Sequence, residues 1–401
     1  MDLKFKILLA LSLILILLGL TACPDDSDGP SDSFFRYLYY PASSEDGAAA
    51  GETGLFRVNL KDDMSDRLVE NSVVYTSDVT ENGVMVFEYG GDIQNRFWGI
   101  CEDGSIIPVP FPETSPEWIN VSYELEPSIN VSYDGHHAAY FVRKTPVETI
   151  GPEDLRPYLV VFNCSNGQMK QVPLYEFIIE EFDEIQANSG FPHGSFVILD
   201  YDGTNIWFVL RAVRFEDETI AEEAYCGVRW NLTEGLERFT DIMDKPFELM
   251  SRNPVTQNFI VKTTDTLEQQ FVQSLDGTGE FWNNALSVEQ LGGPSQMAEE
   301  RAEIAVMSGW GIELLHPNTG GNLVRIKSYD DIDPNGKYRH EPNPRISVSP
   351  DGQMLTFALE HIADPGRFTI FTLDREGKEL KIIYEDVSTG TPKISGELKE
   401  D

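Results

Sequence analysis

Apolar residues along this chain come in short runs that alternate with polar positions and stop at turn residues. The clearest case is Ile346–Leu359. Two runs rich in β-formers, Ile346–Val348 and Leu355–Leu359, flank Ser349-Pro350-Asp351-Gly352. Pro presets φ for the second turn position, Asp bonds its own backbone, and Gly takes a positive φ at the exit. The pattern predicts a β-hairpin.

Weaker copies lie upstream. Ile129-Asn-Val-Ser-Tyr-Asp-Gly135 keeps the Ser-x-Asp-Gly turn, Val197–Leu210 keeps Asp202-Gly203, and Tyr75–Tyr89 turns at Asn82-Gly83. Leu249–Thr263 and Gln296–Ser308 are degenerate copies, and Phe34–Tyr40 supplies a second strand without its first. Second strands therefore start near Tyr37, Val84, His137, Asn205, Asn258, Glu303 and Met354. Such spacing is too long for single strands and suits a four-stranded antiparallel unit, given strands of ~5–6 residues and hairpin loops of 2–5. Each copy then offers a further hairpin, turning at Asp103-Gly104, Asn166-Gly167 or Glu376-Gly377.

These units resemble the WD-type repeats of TolB-like β-propellers, whose signature is a small or polar residue, Pro-Asp-Gly and an apolar strand. The resemblance is carried by Ser349-Pro350-Asp351-Gly352 and spans residues 34–398. It implies an all-β fold, a single propeller of seven four-stranded blades, with six or eight as alternatives. Pro392–Ser395 echoes Pro344–Ser347, so the C-terminal strand is expected to pair with the N-terminal one and close the ring without exposed edges. A two-sheet sandwich is the competing fold.

The first residues stand apart. Lys4 and Lys6 precede an apolar run, Ile7–Leu20, shorter than the ~20 residues of a membrane span and suited to a signal peptide. Leu20-Thr21-Ala22-Cys23 resembles the bacterial lipobox. That resemblance implies a signal peptide over residues 1–22 and lipid on Cys23. Residues 23–33 read as a flexible tether. The expected location is a cell membrane or outer membrane, lipid-anchored and exported. Three cysteines remain, Cys101, Cys164 and Cys226, and these are expected to be reduced thiols unless Cys226, in a different register, reaches one of the other two.

The formal net charge of −37 excludes nucleic acid as a partner, since phosphates would be repelled. No nucleophile elbow, phosphate loop or dinucleotide fingerprint occurs.

In a four-stranded meander the first-to-second and third-to-fourth links share one end. Here these are short Gly turns. The other end carries the longer segments Pro41–Thr53, Phe111–Glu126, Arg143–Pro157, Glu176–Gly194, Arg211–Glu223 and Ser328–Asn343. Recognition is expected there. Within Glu176–Gly194, residues 176–187 read as a short solvated acidic helix. The candidate binding residues are Trp118, Arg143, His193, His340 and His361. The TolB-like resemblance extends to metal-dependent lyases of uronic acid sugars, and by it His193, His340 and His361 would be a ligand set, although that family's motif does not match residue by residue. Trp118, Trp282 and Trp310 fall outside the clear strands. Asp331-x-Asp333-x-Asn335-Gly336 repeats the opening of a calcium loop, with the twelfth-position carboxylate out of register; calcium is the one cofactor suggested. The expected function is a non-catalytic binding or scaffold module for an envelope protein or glycan. The alternative is a metal-dependent lyase or hydrolase acting on carbohydrate.

Overall fold

A computed structural model describes residues 34–42, 53–70, 74–80, 85–89, 97–100, 105–108, 118–123, 129–132, 134–146, 156–164, 166–200, 203–216, 219–252, 258–264, 270–275, 286–287, 304–307, 310–315, 323–340 and 345–399. The expectations for residues 1–33, including Cys23, and for Cys101 and Trp282 lie outside these residues.

The described chain between Arg36 and Leu398 is built of antiparallel sheets in sequence order. Six of them contain a path of four strands; the one at Ile304–Met307, Gly311–Leu315 and Leu323–Ser328 shows three. Second strands start at Tyr37, Met85, His137, Asn205, Phe259 and Met354, within a residue of the expected positions. The seventh, expected near Glu303, differs: Ile304–Met307 is the first described strand of its sheet and Gly311–Leu315 the second. Lys393–Ile394 pairs antiparallel with Tyr37–Ala42, Leu38 opposite Ile394 and Tyr39 opposite Lys393. This strand order, meander after meander, makes the chain an all-β propeller.

The repeat is visible atom by atom at two turns. Gly352 N donates to Ser349 O at 2.8 Å, Ser349 Oγ donates to Asp351 Oδ1 at 2.6 Å, and Met354 N donates to Ser349 Oγ at 2.9 Å. At the earlier copy, Gly135 N donates to Ser132 O at 2.9 Å, Ser132 Oγ to Asp134 Oδ1 at 2.6 Å, and His137 N to Ser132 Oγ at 2.9 Å. Gly352 and Gly135 hold φ of 65° and 75°, where a Cβ would cost roughly 1–2 kcal/mol.

Why the strands carry so little alternation is clear from packing. In His137–Pro146, Ala139 and Phe141 face one neighbour, while Ala138, Tyr140 and Val142 face the other way. Both faces are buried, so the run is continuously apolar. The first face meets Ile206, Phe208 and Leu210 of Asn205–Glu216. The opposite face of that strand, Trp207 and Val209, meets Phe247, Leu249, Phe259 and Val261. Further round, Leu38, Tyr40 and Val58 pack on Ala358, Phe368 and Ile370. Removing one such Phe side chain would cost about 3–5 kcal/mol.

Several expected loops prove to be structure. Arg211–Glu223 is not a loop: Asn205–Glu216 and Thr219–Asn231 form one ladder from Asn205 opposite Asn231 to Glu216 opposite Thr219. Arg143 and Lys144 likewise stay in the ladder, opposite Pro157 and Arg156. Trp118 belongs to a strand, Trp118–Tyr123, which extends that sheet along Val142–Pro146. The acidic helix, Tyr175–Glu181, is not solvated all round. Ile178 and Phe182 are fully buried between two sheets, with the carboxylates on its outer side.

Candidate functional site

The strand directions send the C-terminal part of His137–Pro146, the start of Ser189–Leu199, the junction of Asn205–Glu216 with Thr219–Asn231, and the start of Phe247–Arg252 to the loop-bearing end of three consecutive sheets. Chemistry-bearing side chains collect there. Phe191 and His193 are two residues apart on one strand and therefore share a face. Arg211 lies opposite Phe191 and Tyr225 opposite Arg211, while Glu223 lies opposite Val213, so all five occupy the same face.

Each side chain is positioned by a neighbour. Arg211 Nε donates to Glu223 Oε2 at 2.9 Å, and its Nη2 donates to the same oxygen. The guanidinium lies 5.2 Å from the Phe191 ring centroid, and that of Arg143, from the preceding sheet, lies 5.7 Å from the same ring. Phe191 is thus the common platform of two cations. The His193 ring meets Tyr225 edge-on, centroids 4.6 Å apart. Next to it, Lys262 Nζ pairs with Glu248 Oε1 at 3.2 Å in the following sheet.

Burial lowers the basicity of His193, opposed by Glu248. The imidazole is accordingly neutral at pH 7, with one nitrogen a donor and the other an acceptor. Neither nitrogen has a hydrogen-bond partner among the described residues. Burial also pushes the Tyr225 hydroxyl up to about 12, with Arg211 opposing it, so it remains a neutral O–H. Immediately after His193 the ladder slips: His193 faces Val209, but Ile198 faces Trp207. Irregularities of this kind re-aim side chains and cluster beside functional sites.

The other candidates form a second group. His340 stacks on Tyr329, centroids 4.0 Å apart, and its Nε2 lies 3.4 Å from Asp333 Oδ2. His361 bonds Thr369 Oγ1 through Nε2 at 2.8 Å and meets the Tyr338 ring at 5.2 Å. Tyr338, two residues before His340, lies opposite His361 and links the two histidines. His193 has different partners. Among the described residues no group of three His, Cys, Asp or Glu side chains is arranged to hold a metal.

The Asp331–Gly336 segment is occupied by the protein itself. Asp331 Oδ2 accepts from Ser328 Oγ at 2.7 Å, and that hydroxyl caps the short helix Tyr329–Ile332 by accepting from Asp331 N at 3.3 Å. Asp333 is buried and accepts Lys337 N on Oδ1 and Tyr338 N on Oδ2, both at 2.8 Å. Gly336 has φ of 62°. Asp333 therefore organises a turn, and Asp331 points back to the helix start.

Arg211, Glu223 and Tyr225 were missed by sequence reasoning: Arg211 and Glu223 are the ends of what looked like a loop, and Tyr225 lies just beyond it. A signal existed: residues 204–226 contain no Gly or Pro, so nothing there breaks a strand.

No family model matches the sequence, and no curated protein matches it. Solved structures do. The chain is similar to the β-propeller domain of the trilobed protease from Pyrococcus furiosus, at TM-score 0.51 and 11% identity, over 88% of this chain and 92% of that one. It is more distantly similar to a TolB from Agrobacterium tumefaciens, at TM-score 0.35 and 11% identity, over 92% and 99% of the two chains. An oligogalacturonate lyase in complex with manganese gives 0.45 and 11%, over 76% and 79%. At these identities the likeness concerns architecture alone, and the Pyrococcus domain carries it: the chain has the β-propeller fold.

Proposed function

We propose that this chain is an exported, lipid-anchored propeller of seven blades, closed where Lys393–Ile394 joins Tyr37–Ala42, and that its loop-bearing end binds a partner of the cell envelope. The observation that carries the binding reading is the group at Phe191, His193, Arg211, Glu223 and Tyr225. Polar side chains held in fixed poses on strands, rather than on mobile loops, are what recognition requires. Arg211 is fixed by Glu223 and by the Phe191 ring, so little rotamer entropy remains to be lost on binding. The anchor reading rests on Leu20-Thr21-Ala22-Cys23 and the polar tether after it. A membrane or outer-membrane location follows from the lipid.

Crosslinking of the native chain in cells, followed by identification of the captured partner, tests the binding reading. Capture is expected in the wild type and is expected to fall severalfold with Arg211→Ala or His193→Ala. Capture that is unchanged in both variants would move the binding surface elsewhere. Incorporation of labelled palmitate, abolished by Cys23→Ser, tests the anchor independently.

A further inference from the structure

The valences left over at the His193 group define what it can hold. Arg211 has five N–H donors and commits two, both to one oxygen of Glu223. The Tyr225 hydroxyl stands beside the same carboxylate. His193 offers one donor and one acceptor with no internal partner among the described residues. Beside it, Glu248 Oε1 takes one of the three Lys262 donors. Donors and acceptors therefore alternate over a small area, and all of these side chains are half-buried except Tyr225, which is buried.

The charges decide between ligand classes. Arg211 is paired with Glu223 and Lys262 with Glu248. An anion arriving at either cation must compete with a carboxylate already in place. A cation meets the reverse obstacle, and in both cases desolvation is unrecovered unless the pair is broken. A neutral hydroxyl avoids this. It donates to a carboxylate and accepts from a guanidinium at once, using spare valences while the ion pair stays intact. Hydroxyls on adjacent carbons would span the Arg211–Glu223 pair, and the neutral imidazole would accept or donate to a third.

We infer that the Phe191–His193–Arg211–Glu223–Tyr225 face is a subsite for a neutral polyhydroxyl ligand, a sugar unit of an uncharged glycan. This rests on the proposed binding role of the loop-bearing end and specifies its ligand. Discrimination is expected to come from the hydroxyls. A site whose polar groups are built to bond O–H groups rejects analogues lacking them by large factors, because its own groups are then left unpaired.

The test is calorimetric titration of the full chain in detergent with maltotetraose, cellotetraose, chitotetraose and mannotetraose, and with tetragalacturonate as the charged counterpart. At least one neutral tetrasaccharide should bind, at least 10-fold more tightly than the charged one. Arg211→Ala, Glu223→Gln and His193→Ala should each weaken that binding 10-fold or more, and Lys337→Ala, in the separate His340 group, should leave it unchanged. His193→Ala removes no ion pair and keeps the test open if an Arg211 or Glu223 variant does not fold. Tighter binding of tetragalacturonate, binding indifferent to the three substitutions, or no neutral binding would each overturn the inference. If no neutral glycan binds but in-cell capture of a partner still falls with the same substitutions, the ligand class is wrong and the binding role of this face stands.

Discussion

Arg36 Nη2 lies 2.7 Å from Asp351 Oδ2, a contact across 315 positions of sequence. Asp351 belongs to the turn that defines the repeat, where its other oxygen accepts from Ser349 Oγ. Arg36 immediately precedes the strand Tyr37–Ala42, and its Nη1 also donates to Ser395 O at 3.1 Å. Tyr37 N donates to Ser395 Oγ at 2.9 Å. One guanidinium therefore ties the head of the chain to a turn near its tail and to the tail itself, in the place where Leu38 and Ile394 pair.

Removing either partner should be costly because both are largely shielded from water. Arg36→Ala or Asp351→Asn is expected to lower stability by about 2 kcal/mol, the range of charge-assisted hydrogen bonds. The urea midpoint measures it. A double-mutant cycle should return coupling of about 1 kcal/mol or more. Burial by itself would raise the Asp351 carboxyl, but the bonds from Arg36 and Ser349 outweigh it and hold the group below its ordinary value. A carboxyl lowered in the folded state stabilises above the unfolded carboxyl range. That contribution is lost as pH falls through the lowered value. The wild type should therefore lose more stability than Asp351→Asn below pH 4, and the difference should vanish at the acid extreme.

The sequence read best where local chemistry decides conformation. Ser349-Pro350-Asp351-Gly352 and Ser132-x-Asp134-Gly135 announce their turns because proline, a bonding carboxylate and a glycine act within four residues. The second strands followed from those turns. What could not be read was what tertiary context sets. Arg211, Glu223 and Tyr225 alternate with Ala212, Val213 and Ala224 at the end of a long hairpin, and charged residues there look like loop. Packing on both sides, Ala212 and Ala224 with Ile178 and Phe182, and Tyr225 with Phe247 and Leu249, makes that stretch worth extending as strand. Ile178 and Phe182 were misread as solvated for the same reason: the surrounding glutamates set the average, and two buried apolar side chains set the packing. The stack of His340 on Tyr329 could not be read either, because it depends on a helix of four residues with no periodicity to detect.

Asp333 offers a decisive comparison between a turn and an ion site. Each of its oxygens holds a backbone amide, Lys337 N and Tyr338 N. Asp333→Ala should orphan both and cost about 2 kcal/mol, with Asp333→Asn intermediate because one amide can still be accepted. Calcium should be irrelevant to this effect. The melting temperature of the wild type is expected to be the same with a chelator and with millimolar calcium. A calcium-dependent rise that disappears in Asp333→Ala would restore the cation reading.

A buried ion pair makes the next case. Arg252 is almost fully buried against Trp207, its guanidinium 4.5 Å from that ring, and it pairs with Asp200. Asp200 also accepts Trp207 Nε1 at 3.2 Å and Asn205 Nδ2 at 2.6 Å. Asp200→Ala takes away the carboxylate while the guanidinium stays buried, and is expected to cost about 3–5 kcal/mol. Replacing both residues, Asp200→Asn with Arg252→Met, should recover a large part of that loss, because no buried charge remains. Denaturant melts of the two variants distinguish a stabilising pair from one whose loss is felt mainly through the charge left behind.

Cys226 supplies a probe of how these sheets open. It is fully buried between the third and fourth sheets, with Leu210 opposite it in the ladder. Burial pushes its thiol up to about 12, the nearby Arg238 opposing weakly, so almost no thiolate exists at pH 8. Reaction requires the thiolate and access to it, and the native state offers neither. Iodoacetamide should leave Cys226 unmodified in native protein over hours, as read by mass spectrometry of its peptide, and should modify it fully in urea. In Phe208→Ala, which opens a cavity in the same cluster, labelling under native conditions should accelerate by about tenfold for each 1.4 kcal/mol of stability lost, provided exposure needs global unfolding. Acceleration without a matching loss of stability would show that the fourth sheet opens locally, and that its His193 face rests on a less rigid base than the ladder implies.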